Sequence, residues 1–142
     1  MTLPHDVRVL LVEDHALVRQ AMQEQLADFG FEVVAVAVDG PSFLELYAEH
    51  RPDIVLSDVK LPGFSGIEAT RRLLADHPEA RVLLISAAVD ERAVNAGIAA
   101  GAVGYVLKSI DATELYVFLM EAAEGWRGIF DRTTALCVPG GS

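Results

Sequence analysis

At 142 residues, 52% apolar and 23% charged, the chain is long enough for one domain with a real core and is too apolar for a disordered class. Twenty-one acids against eleven bases give a net charge of −10, which argues against nucleic-acid binding by this segment, because phosphate affinity rests on Lys and Arg. Cys137 is the lone cysteine and rules out an internal disulfide; no apolar run approaches the roughly 18–20 residues of a membrane span, and no secretion signal opens the chain, so a soluble cytoplasmic protein is expected.

Short apolar runs alternate with helix-period segments. The first run is Val7–Val12 and ends in Glu13 and Asp14. A helix is predicted from His15 to Asp28, with Val18, Met22, Leu26 and Phe29 on one face and Gly30 at its C-terminal cap. A second strand is predicted over Glu32–Val38. Asp39-Gly40-Pro41 then opens a helix whose Phe43, Leu44 and Tyr47 face inward. The third strand, Asp53–Ser57, empties into Asp58. Ser65-Gly66-Ile67-Glu68 has the form of a capping box and starts the third helix. The fourth strand, Arg81–Ser86, ends in a hydroxyl, and Asp90 caps a fourth helix that stops near Gly101. The fifth strand, Val103–Leu107, ends in Lys108. Asp111 through Glu114 caps the fifth helix, with Leu115, Phe118, Leu119 and Ala122 as its stripe. Residues 1–125 are thereby assigned to the domain. Residues 126–142 have weaker periodicity and read as a tail or the start of a linker to an output domain.

Nearly all-apolar strands alternating with helices predict an α/β, doubly wound (βα)5 fold with a five-stranded parallel sheet. In such sheets ligands bind beyond the carboxyl ends of the strands, where Glu13, Asp14, Asp58, Ser86 and Lys108 all fall. Three carboxylates in one pocket need cations to offset them. Lys108 supplies one charge and a divalent ion would supply two. Hard, solvent-open oxygen ligands suit Mg²⁺. A carboxylate beside Mg²⁺ can act as a nucleophile and form an aspartyl phosphate, with Mg²⁺, Lys108 and Ser86 each taking one phosphoryl oxygen. Asp58 is the candidate nucleophile because it stands alone at its strand end, whereas Glu13 and Asp14 form a pair suited to holding metal.

The segments Val12-Glu13-Asp14-His15, Ser57-Asp58-Val59-Lys60-Leu61-Pro62-Gly63-Phe64-Ser65-Gly66, Leu84-Ile85-Ser86-Ala87 and Gly101-Ala102-Val103-Gly104-Tyr105-Val106-Leu107-Lys108-Ser109 follow in order. Together they resemble the receiver domain of two-component response regulators, over roughly Val7 to Ala123. The run after Asp14 and the Gly-Tyr-Val-Leu-Lys-Ser segment look most like the NarL/FixJ branch. The resemblance implies a flavodoxin-like sheet of strand order 2-1-3-4-5. It implies that Asp58 accepts a phosphoryl group from a sensor histidine kinase. Asp14, Asp58 and the Lys60 carbonyl would bind Mg²⁺ directly, and Glu13 through water. Ser86 and Lys108 would contact the phosphoryl group, with Tyr105 as an aromatic switch moving with Ser86. Such a domain is a signalling switch rather than an enzyme, and members of this branch usually carry a DNA-binding domain after it. Ser109 replaces a common proline, so a cis bond after Lys108 would cost roughly 3 kcal/mol more than usual.

Plainer roles stand beside these. Glu13 and Asp14 could cap the first helix, Ser86 could be an ordinary strand-end hydroxyl, and Tyr105 fits core filler as well as switch. A phosphate-independent interaction module is the rival function, disfavoured by the complete acid, Asp, hydroxyl and Lys set. A Mg²⁺-dependent phosphohydrolase would want a second acid where Lys60 stands. Gly97 weakens the fourth helix by about 1 kcal/mol, and Leu115–Met120 carries no charge, so Tyr116, Val117 and Met120 are candidates for a self-association face on the fourth and fifth helices. Deeper burial is the alternative.

Overall fold

The computed structural model describes residues 2–139. After a 3-10 turn (Pro4–Asp6), the chain runs β1 (Arg8–Val12), α1 (Ala16–Asp28), β2 (Glu32–Ala37), α2 (Gly40–His50), β3 (Ile54–Asp58), α3 (Gly66–Asp76), β4 (Val82–Ser86), α4 (Glu91–Ala100), β5 (Gly104–Leu107), α5 (Ala112–Ala123), β6 (Ile129–Phe130) and α6 (Arg132–Ala135). The strands form one parallel sheet of order β2-β1-β3-β4-β5-β6. Strand order reverses between β1 and β3, so their carboxyl ends flank the crevice of the doubly wound sheet.

Alternation along each strand divides the core in two. Val9, Leu11, Ile54, Leu56, Leu83 and Ile85 point to the side of α1 and α5. Leu10, Val12, Val55, Val82 and Leu84 point to the other side, with Phe43 and Tyr47 of α2, Leu73 of α3 and Val94 of α4. Four of the five principal helices start at a side-chain cap: Asp39 accepts from Ser42 N, Ser65 from Glu68 N, Asp90 from Arg92 N and Asp111 from Glu114 N. The reciprocal half of the Ser65–Glu68 box is absent. The Glu68 carboxylate instead pairs with Arg71 and Arg72, which hold its pKa down at about 2. Gly30 and Gly101 close α1 and α4 with positive φ, 93° and 100°.

One expectation is corrected: the sheet has six strands, not five. Part of the chain after Gly125 packs on the domain, as β6 and α6. The strand β6 is only two residues long, too short for any apolar period to register, and it is admitted by Gly104: a Cβ there would meet the Ile129 carbonyl oxygen at 2.1 Å. Ile129 and Thr134 are buried, and Cys137 and Val138 pack against the second core. Residues 140–142 of the expected tail lie outside the described residues.

On α5, Tyr116 and Met120 pack against the first core, and Tyr116 stacks on Phe31 at 5.7 Å. Deeper burial therefore accounts for both, and of that trio only Val117 is exposed. Gly97 has a packing reason: a Cβ there would lie 2.8 Å from Leu84 Cδ1 and 3.4 Å from Tyr105 Cδ2, so the glycine lets α4 sit close on β4 and β5. No described helix is long and apolar enough to cross a membrane.

Candidate phosphoacceptor and metal site

The strand ends of β1, β3 and β5 bring Glu13, Asp14, Asp58 and Lys108 together. Carboxylate oxygens of Glu13, Asp14 and Asp58 all lie within 4.8 Å of one another. The Lys108 ammonium donates to Glu13 Oε1 at 2.6 Å and to Asp58 Oδ2 at 2.9 Å. Glu13 and Asp58 are buried, at 1% and 8% exposure, while Asp14 is exposed at the mouth. Burial by itself lowers the pKa of Lys108. Its hydrogen bonds to Glu13 and Asp58, and their charges, outweigh that and hold the ammonium above its usual value.

Each group is fixed by its backbone. Glu13 N donates to Ala37 O, and the other Glu13 carboxylate oxygen accepts from His15 N at 3.1 Å, so Glu13 does serve the entry to α1 as well as the pocket. Arg19, overlooked in the sequence, donates from Nη1 to the carbonyls of Glu13 and Asp14, both at 3.1 Å. A basic residue one turn into α1 was the available signal. Asp58 Oδ1 accepts from Lys60 N at 3.2 Å, so Lys60 meets the nucleophile candidate through its N–H while its side chain is exposed. Ser57 Oγ donates to Asp58 O, and Gly66 N donates to Val59 O, closing the loop after β3. Lys108 N donates to Ser86 O at 2.8 Å, and the peptide bond from Lys108 to Ser109 is trans.

Ser86 stands at the same crevice but its hydroxyl is turned into its own loop, donating to Ala88 O at 3.0 Å. Tyr105 is 1% exposed, and its hydroxyl is buried without a hydrogen-bond partner among the described residues. Burial pushes its pKa up; the nearby Ser86 hydroxyl opposes this, although no hydrogen bond of normal length joins the two, and the charges of Asp90 and Asp58 add to the rise. A cavity of about 510 Å³ runs from Asp58 and Lys108 past Ser86 and Ala88 to Ala93 and Tyr105. Asp58 thus opens onto a space large enough for a phosphoryl group and its donor, with the Ser86–Tyr105 pair on its far wall.

The donor set fits a hard divalent cation. It is all oxygen, it carries three negative charges against one ammonium, and no described residue donates a hydrogen bond to the Asp14 carboxylate. Neither His nor Cys is in the group, which disfavours zinc.

A parallel doubly wound sheet with an acidic crevice and a strand-end lysine defines a receiver-like α/β protein. Residues 9–119 match the response regulator receiver domain family, and the chain belongs to it. It is 36% identical over 129 residues to the transcriptional regulatory protein DegU of Brevibacillus brevis, covering 90% of this chain and 55% of that one. It is 41% identical over 110 residues to the response regulator GacA of Pseudomonas viridiflava, covering 77% and 51%. Among solved structures, a LuxR-family two-component response regulator from Aurantimonas superposes with a TM-score of 0.87 at 34% identity, covering 94% of this chain and 96% of that one. The chain spans about half the length of the curated relatives it matches.

Proposed function

We propose that Asp58 is the phosphoacceptor of this receiver domain and takes its phosphoryl group from a phosphohistidine of a sensor kinase in the cytoplasm. The observation that carries the reading is the contact of one buried carboxylate with Lys108, beside two further acids and open to a cavity. An Asp58 carboxylate oxygen attacks phosphorus and forms the acyl phosphate bond. The phosphorus–nitrogen bond breaks, and the histidine imidazole leaves with the electron pair. Lys108 stays within reach of the new oxygens and neutralises charge on them. Lys60 N–H orients the attacking carboxylate.

Glu13, Asp14, Asp58 and the carbonyl of Lys60 are the residues that would hold Mg²⁺, which when bound offsets the crowded acids and the incoming phosphoryl charge. Ser86 would rotate from Ala88 O toward the phosphoryl group, leaving space that the buried Tyr105 ring answers. A DNA-binding output domain outside this chain, by likeness to the transcriptional regulators named above, would receive the signal through residues 126–142. Ile98 and Val117, exposed on α4 and α5, support self-association on that side.

Intact-mass spectrometry after incubation with a small phosphodonor and Mg²⁺ tests the reading. One added phosphoryl group is expected, lost in Asp58→Asn and without metal. No addition to the folded protein would favour the phosphate-independent interaction module.

A further inference from the structure

Asp131 is a buried carboxylate, 4% exposed, that the phosphoacceptor chemistry does not use. Its burial is offset by four donors. Oδ1 accepts from Leu107 N at 3.0 Å and from Thr134 Oγ1 at 2.5 Å. Oδ2 accepts from Thr133 N and Thr134 N, both at 3.2 Å, and so caps α6. One side chain therefore joins the first turn of the C-terminal helix to the last residue of β5. That residue precedes Lys108. The peptide unit between them is held on both flanks, Leu107 N by Asp131 and Lys108 N by Ser86 O at 2.8 Å. The same segment also reaches Tyr105, which stands opposite Phe130 in the β5–β6 register.

We propose that Asp131 is a positioning residue for Lys108 and couples the chemical state of Asp58 to the docking of the segment β6–α6. The inference rests on the phosphoacceptor reading of the site. Beyond Phe130 the sheet has no further strand to take the Leu107 N–H, and the carboxylate replaces the missing carbonyl. Lys108 is presented to Asp58 from a backbone whose place depends on that bond. Coupling of this kind is reciprocal: whatever shifts Lys108 on modification shifts the hold on α6, and loosening α6 weakens the site's grip on a phosphoryl group. Residues 131–134 thereby link the site to whatever follows them in the chain.

The test uses the 142-residue chain, with beryllofluoride as a tetrahedral phosphoryl stand-in and Mg²⁺ at saturation, followed by calorimetry. Asp131→Ser keeps a competent helix cap but its shorter side chain, with one oxygen, cannot also reach Leu107. Its affinity for the analogue is expected to fall roughly three- to tenfold, while its affinity for Mg²⁺ alone, set by untouched carboxylates, stays that of the parent. Thr134→Val removes the hydroxyl that donates to Oδ1 but leaves both backbone cap donors and the Leu107 bond, and is expected to bind the analogue as the parent does. Asp131→Asn keeps an oxygen for Leu107 N–H and is expected to fall between. In the parent, exchange of the Leu107 amide should slow when the analogue binds. Equal analogue affinity in Asp131→Ser and parent overturns the coupling, as does an equal loss in Thr134→Val, which would trace the effect to any disturbance around the carboxylate and not to the Leu107 bond. A parent that binds Mg²⁺ but no analogue removes the phosphoacceptor reading itself, and the coupling with it.

Discussion

The carbonyl oxygen of Asp58 stands 2.1 Å from the point where a Cβ on Gly66 would lie, with Ser57 Oγ 2.9 Å from the same point. The first residue of α3 is thus a glycine because the backbone that carries the phosphoacceptor candidate passes directly against it. Gly66 N also donates to Val59 O. In Gly66→Ala the methyl group meets backbone, which cannot rotate aside, so the loop after β3 must shift. A stability loss of about 2–3 kcal/mol is expected by urea unfolding. Phosphorylation of Asp58 by a small phosphodonor should slow in the same variant. A variant that matches the parent in both would show that the loop absorbs the methyl without moving Asp58.

Among the described residues, Lys108 is the one cation bonded to the buried pair Glu13 and Asp58. Lys108→Met keeps the apolar stem and deletes the charge. Without metal it leaves two buried carboxylates unbalanced, at an expected cost of about 3 kcal/mol. Mg²⁺ should recover part of that loss, so the metal-induced rise in Tm should be larger in Lys108→Met than in the parent. The pH dependence has a definite sign. The folded-state pKa of Lys108 is raised, so its contribution is fully present below the ordinary lysine pKa and disappears as pH climbs through the raised value. The Tm gap between parent and variant should be flat from pH 7 to 9 and narrow only in the alkaline range above about 10.5.

Asp14 belongs to the acidic group but is exposed and its carboxylate accepts no hydrogen bond from a described residue, so it adds to the repulsion within the group. Asp14→Asn should therefore stabilise the metal-free protein slightly, by less than about 1 kcal/mol given its exposure. The parent should gain about 2.7 kcal/mol when Mg²⁺ reaches a hundred times its dissociation constant. The variant should lose most of that gain. Thermal unfolding across a Mg²⁺ series, in parent and variant, reads both effects. A parent insensitive to Mg²⁺ would remove the metal site.

Much of this site was legible in the sequence because parallel strands end abruptly. Val9–Val12 and Ile54–Leu56 are apolar because both faces are covered, so Glu13 and, one residue past Ser57, Asp58 stand out as acids at their ends. What was not legible depends on bonds to backbone carbonyls, on side-chain rotamers and on contacts distant in sequence. Arg19 works through two carbonyls, which leave no mark on residue choice at Glu13 or Asp14. The hydroxyl of Ser86 faces Ala88 O, a rotamer that no spacing rule fixes. Tyr116 and Met120 looked surplus to the α5 stripe because the aromatic cluster that buries Tyr116 comes from Phe29 and Phe31, far along the chain. The segment after Gly125 read as a tail because a strand of two residues leaves no alternation to detect and gives no reason to fold the segment inward.

Gly104 is what makes room for that strand. A Cβ there would fall 2.1 Å from the Ile129 carbonyl oxygen and 2.7 Å from Ile129 Cβ. Ile129 N donates to Val103 O at 3.0 Å, so β6 lies too close to β5 for any side chain on the first residue of β5. Gly104→Ala should force β6 outward, at about 2 kcal/mol. Because β6 is the sheet edge, the damage should stay local: amide exchange should quicken at Ile129 and at Leu107, whose N–H depends on Asp131, and stay slow at Val55 and Leu56 in the centre of the sheet. Exchange that quickened equally at Val55 would mean that β6 is part of the cooperative core and not a separately released edge.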